Sequence, residues 1–79
     1  MAKWKNSHNR EESKITLGRF ILHIHRHIHY PKDQWLASSH GIFSCRELTM
    51  RTLSGAKKEA IEIIKMYLQD AINDMIDTD

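Results

Sequence analysis

Phe20-Ile21-Leu22-His23-Ile24-His25-Arg26-His27-Ile28-His29 is the stretch on which the reading of this chain turns. Phe20, Leu22, Ile24 and Ile28 alternate with Ile21, His23, His25, His27 and His29, a period of two over ten residues. Period two is the signature of a strand, because successive side chains point to opposite faces. A strand places His23, His25, His27 and His29 on one face, with Ile24, Arg26 and Ile28 on the other. A helix would scatter the same histidines around its axis.

Working outward from this strand, residues 5–14 are polar and aperiodic and read as a loop, after a short edge strand around Trp4. The extended pattern starts at Ile15, and Gly18 marks a turn or bulge before Phe20. Tyr30-Pro31-Lys32-Asp33 has turn chemistry, since Pro presets its own φ and Asp favours turns. Gln34–Ser39 is the next predicted strand. His40-Gly41 is a tight hairpin candidate and Ile42–Leu48 a further strand. Ser54 is the expected helix N-cap. Ala56, Ala60, Ile63, Ile64, Tyr67, Leu68, Ala71, Ile72 and Met75 then recur at helical spacing. The run of acids from Asp74 to Asp79 sits at the negative end of the helix dipole and should fray it.

The expected fold is therefore α+β and a single domain over 1–79. A three- to four-stranded antiparallel meander (15–48) carries one long C-terminal helix (54–76) packed on one face. The apolar stripe of that helix covers about half its circumference, wider than the roughly 100° a core contact needs. Ile61, Ile72 and Ile76 at its edge, with Met66 off it, are candidate helix-interface residues for a homodimer.

Composition narrows the function classes. The chain has 79 residues, 41% hydrophobic and 28% charged, with one Pro and three Gly, which is a globular composition. No apolar run approaches the roughly 20 residues of a membrane span. The single Cys45 excludes an internal disulfide, and the start Met1-Ala2-Lys3-Trp4 has no apolar signal core, so a cytoplasmic protein without a membrane partner is expected. Residues 1–58 hold eleven of the twelve basic residues and four acids; residues 59–79 hold six acids and one Lys. Six histidines should make the basic front more cationic as pH falls toward about 6.

Strand pairing sharpens the histidine face. A turn at Pro31–Asp33 would pair His29 with Trp35, and a two-residue turn at His40-Gly41 would pair Ser39 with Ile42. His23, His25, His27, His29, Trp35 and Arg46 would then share one open face, a mixture suited to phosphate contact, base stacking or a protein hot spot. Arg19 and Lys32 are read as a basic edge. Zinc is the competing idea for a His-x-His strand, with His25, His27 and His40 as candidate ligands. A strand spaces adjacent histidines about 6.6–6.8 Å apart, however, so four cannot share one ion, and no metal or other cofactor is expected. No nucleophile elbow, Gly-rich phosphate loop or paired cysteines occur, and a non-enzymatic protein is expected.

Trp4, Gly18-Arg19-Phe20, Trp35-Leu36-Ala37-Ser38 and the helix opening Leu53-Ser54-Gly55-Ala56-Lys57-Lys58-Glu59-Ala60 together resemble small accessory proteins of phages and prophages. Some proteins of that kind are anti-CRISPR inhibitors. The resemblance implies stoichiometric blocking of a host protein or ribonucleoprotein complex, without catalytic residues. The order of elements is also similar to DNA-binding domains of the phage-integrase arm type, whose three-stranded sheet reads nucleic acid. That similarity implies a nucleic-acid-binding module on the same face.

Overall fold

Gly18 turns the chain with a φ of +63°, the left-handed value that a side chain disfavours, and closes a two-residue hairpin in which Leu17 pairs with Phe20. The computed structural model describes residues 2–8 and 12–76. Five strands run β1 Lys5–Asn6, β2 Ser13–Leu17, β3 Phe20–His25, β4 Leu36–Ser39 and β5 Phe43–Glu47, followed by α1, Leu53–Ile76. They form one antiparallel meander in the order β1-β2-β3-β4-β5. The α+β class stands, with five strands where three to four were expected. The additional pairing joins Lys5 to Lys14 and Asn6 to Ser13, inside the segment read as loop. This β1 starts one residue past Trp4, around which a short edge strand was expected, but two residues carry no measurable alternation that could give its pairing or face.

The histidine strand is shorter than its periodicity. β3 ends at His25, and residues 26–35 form a loop closed by Tyr30 N–H to the His27 carbonyl and Gln34 N–H to the Pro31 carbonyl. Arg26 seals its neck, donating to the Lys32 carbonyl at 2.5 Å with its guanidinium 4.7 Å from the centre of the Trp35 ring. The observed register pairs His23 with Ser38, Ile24 with Ala37 and His25 with Leu36. The expected pairing of His29 with Trp35 is therefore wrong by an odd number of residues, which moves β4 side chains to the opposite face. Trp35 is buried in the core and donates its indole N–H to the Arg51 carbonyl at 3.2 Å.

The second hairpin also differs from the two-residue expectation. Ser39 pairs with Phe43 around His40-Gly41-Ile42, where Gly41 has a φ of +81° and Ile42 N–H bonds the Ser39 carbonyl. A bulge lies opposite Ser38, with Cys45 in the left-handed region at φ +50°. The bulge shifts the side-chain alternation of β5 by one residue. Arg46 pairs with Ala37 and lies on the helix side, its guanidinium 5.8 Å from the Tyr67 ring.

The core is the face of Ile15, Leu22, Ile24, Trp35 and Ala37, closed by Leu48 and by Ala56, Ala60 and Ile64 of α1. Two alanines one turn apart let the helix backbone approach the middle of the sheet. The helix begins one residue before the predicted segment 54–76. Thr52, rather than Ser54, caps it: the Thr52 hydroxyl accepts the Gly55 N–H at 3.1 Å and its carbonyl accepts the Ala56 N–H at 2.8 Å. Thr52→Ala should lose about 1 kcal/mol in urea unfolding. Ser54→Ala, at an exposed helical position, should stay within about 0.5 kcal/mol of wild type. The reverse order would return the cap to Ser54.

Candidate functional site

With α1 on one face, the other face of the sheet stays without a covering layer over most of its width. Directly paired residues on that face form a row across four strands: Lys5, Lys14, His23 and Ser38. At about 4.8 Å per strand the row spans roughly 14 Å. Thr16 and Ile21 form the next row toward the Gly18 turn. His25, Leu36 and Glu47 form the row on the other side, where Leu36 is fully buried and the surface closes.

Two open hollows lie on this face. One, of about 660 Å³, is lined by residues including Lys14, Ile21, His23, Ser38 and His40. The other, of about 440 Å³, is lined by Ala2, Lys3, Lys5, Lys14, Thr16 and Ile21. They share Lys14 and Ile21, and among the described residues no carboxylate lines either one, although Glu12 lines a further hollow beside Lys5 and Lys14. Glu12 stands close by, its Oε1 3.4 Å from His23 Nε2. That separation suits an ion pair with a protonated ring, but the geometry makes no hydrogen bond, and His23 Nε2 is buried without a hydrogen-bond partner.

His25 is held differently. Its ring lies 4.8 Å from that of His23, and its Nε2 is 2.8 Å from Ser38 Oγ. The same oxygen accepts the Cys45 N–H at 2.9 Å, which fixes the bulge. Burial lowers the His25 pKa below the ordinary imidazole value, and a charged His23 lowers it further. A backbone hydrogen bond at Arg26 and the charge of Glu12 act in the opposite direction without overcoming these. His25 therefore gains its charge at a more acidic pH than a free histidine and joins the expected acid-side rise in positive charge late. A serine beside a histidine also suits nucleophilic catalysis, but here Ser38 Oγ is committed to the bulge amide. The His25 ring has a backbone hydrogen bond at Arg26, and Glu12 acts on it only through its charge.

The predicted binding face is dispersed by this fold. His23 and His25 remain on the uncovered face. His27 and His29 sit in the β3–β4 loop, their rings 5.1 Å apart, with Tyr30 edge-on to His27 at 5.9 Å. Trp35 is in the core, and Arg46 is on the helix side. Arg19 lies at the β2–β3 turn and Lys32 in the β3–β4 loop, at opposite ends of β3, so they form no common edge. His25, His27 and His40 do not converge, and among the described residues no three His, Cys, Asp or Glu side chains gather to hold a metal. Ile61 packs against the core, whereas Met66, Ile72 and Ile76 are exposed.

Lys3, Lys5 and Lys14 are the site residues that the sequence reading passed over. Lys5 and Lys14 both fall in the 5–14 segment that reads as loop and Lys3 lies just before it, so only the β1–β2 pairing gives them a face. No helix among the described residues is long and apolar enough to cross a membrane. No protein-family model, curated protein or solved structure matches the chain.

Proposed function

We propose that this protein is a non-enzymatic binding module whose uncovered sheet face grips the phosphate backbone of nucleic acid, either free or within a nucleoprotein. The observation that carries this reading is the pair of adjoining hollows sharing Lys14, lined by Lys3, Lys5, Lys14, His23 and His40 and, among the described residues, by no carboxylate. Ammonium groups one strand apart meet a chain of phosphates as point charges and release counterions on contact. Among the described residues lining these hollows there is no arginine or asparagine to read base edges, and the one aromatic ring, Phe43, is half-buried, so contact is chiefly with backbone.

Fluorescence anisotropy with labelled single- and double-stranded oligonucleotides across a salt series tests this. Three lysine contacts predict a slope of log K against log salt of about −2 to −3, with affinity in the weak range typical of non-specific binding. Lys5→Glu with Lys14→Glu should weaken binding by at least about tenfold at low salt, because two attractions become repulsions. Both positions are exposed, so the fold should survive. A flat salt response, or an unaffected double variant, removes the nucleic-acid reading. A discrete host protein retained from nuclease-treated bacterial lysate would then move the assignment to stoichiometric inhibition by the phage-type resemblance.

A further inference from the structure

The helix outruns the sheet that it packs on. Near its start, Lys57 bonds Asn6 Oδ1 at 2.9 Å and lies 5.4 Å from the Trp4 ring, beside β1. Further along, Tyr67 packs 5.3 Å from Phe43 on β5. Ile64 is the last fully buried helical residue, and every residue from 69 to 76 is exposed. These eight residues carry the helix about 12 Å beyond its support.

The overhang is nevertheless patterned for burial. Leu68, Ala71, Ile72, Met75 and Ile76 recur at i, i+3, i+4, i+7 and i+8, the spacing of a core-facing stripe. Ile72 is 48% exposed, Met75 71% and Ile76 74%.

Charge narrows what can cover this stripe. No basic residue lies between Met66 and Ile76, and Asp70 and Asp74 lie along the flank that also carries Tyr67. That flank repels phosphodiesters and anionic lipid surfaces, which interfacial helices meet with Lys and Arg. The matching surface is an apolar helix stripe with a cation beside it, and this chain presents one. Arg46 lies over the Tyr67 ring and donates to its hydroxyl at 3.1 Å, next to the stripe. In an antiparallel helix pair with Leu68 against the second copy's Ile72, like flanks face one another. Each copy's Asp74 then lies one position from the level of the other's Tyr67, toward its Arg46, while the two Asp70 side chains meet at the same level but point away from the seam.

We infer that the overhang from Leu68 to Ile76 is a homodimer interface, covered by the same segment of a second copy running antiparallel. The contact is isologous, so each copy supplies both the acidic flank and the cation. The stripe offers on the order of 500 Å² per copy, about 1,000 Å² in all, the lower bound for a specific interface. The dimer is therefore weak and concentration-dependent, and it does not depend on the nucleic-acid reading.

Sedimentation velocity from low to high micromolar protein tests it. Wild type should move from the monomer mass toward twice that mass. Ile72→Glu and Met75→Glu should each weaken association by about tenfold or more, since each places a charge in the apolar seam. Both sites lie beyond the sheet, so the helical circular dichroism should stay as in wild type, and agreement between the two variants guards against a folding defect in either. Arg46→Asp and Asp74→Arg should each weaken association, and the two together should restore it. A wild type that stays monomeric at high micromolar concentration, or Glu variants that still dimerise, overturns the interface. Failure of the charge exchange to restore association overturns the antiparallel pairing.

Discussion

Trp35→Ala is expected to cost about 3–5 kcal/mol, the largest loss of any single substitution considered for this chain. The ring is 5% exposed and sits in the core cluster with Ile24, Ala37 and Leu48. Removing it leaves a cavity that a thin two-layer fold fills poorly. It also takes away the donor to the Arg51 carbonyl and the surface on which Arg26 lies. At roughly 0.05–0.15 kcal/mol per residue, the whole chain holds about 4–12 kcal/mol, so this one variant removes from about a quarter to all of it. Urea unfolding followed by circular dichroism measures the loss directly. Arg46→Ala, exposed and on a different strand, should cost less than about 1 kcal/mol in the same assay. Near-equal stability of Trp35→Ala and wild type would mean that the ring faces solvent, as the three-residue turn at Pro31–Asp33 requires.

That contrast shows where the sequence was legible. The helix stripe reads correctly because Ala56, Ala60 and Ile64 repeat over three turns, long enough for the period to outweigh any single residue. Gly18 reads correctly because a positive φ calls for glycine locally. The β3–β4 register is set instead by a non-local balance. The alternation of His27-Ile28-His29 continues in sequence, yet Ile28 is 90% exposed, because burying Trp35 requires the longer loop. Neither the short-range pattern nor turn propensity contains that term. On β5 two departures cancel: the three-residue turn and the one-residue bulge each shift the strand by one, so Arg46 keeps the face of Ala37 and goes to the helix side with it through the β3–β4 register.

The candidate site was hidden for a related reason. Histidines attract notice by their rarity and spacing, but two of the four on the predicted face leave the sheet with the loop. The lysines that replace them as the cationic part of the uncovered face are ordinary in composition and adjacent only through cross-strand pairing. Lys5 and Lys14 are nine positions apart in sequence and directly opposite in the sheet. Until β1 is recognised as a strand, nothing joins them.

Glu59→Ala is the second substitution with a large expected effect, and its loss should depend on pH. The Glu59 carboxylate accepts the Thr49 N–H through both oxygens at 2.9 and 3.0 Å, the Met50 N–H at 2.9 Å and the Thr49 hydroxyl at 3.0 Å. It thereby fastens the β5–α1 connection to the second turn of the helix, close to the Thr52 cap. Partial burial opposes ionisation of this group, but the Thr49 and Met50 donors outweigh it, with a smaller contribution from Arg46, so its pKa lies below the ordinary carboxylate value. A depressed folded-state pKa gives stability that is fully present above the unfolded value near 4.3–4.5. That stability is lost as pH falls through the folded value. Hydrogen bonds to a charged acceptor are worth about 1.5–3 kcal/mol, and the half-open site reduces this, so a loss of about 1–2 kcal/mol is expected at pH 7. Urea unfolding of wild type and Glu59→Ala from pH 7 down to pH 3 should show the gap narrowing below about pH 4.5 as the wild-type carboxylate takes up its proton. Glu59→Gln, which keeps one acceptor oxygen without the charge, should fall between the two at pH 7. A gap that stays constant across the acid range would show that the side chain acts by packing alone, and that the clasp at Thr49 and Met50 owes nothing to ionisation.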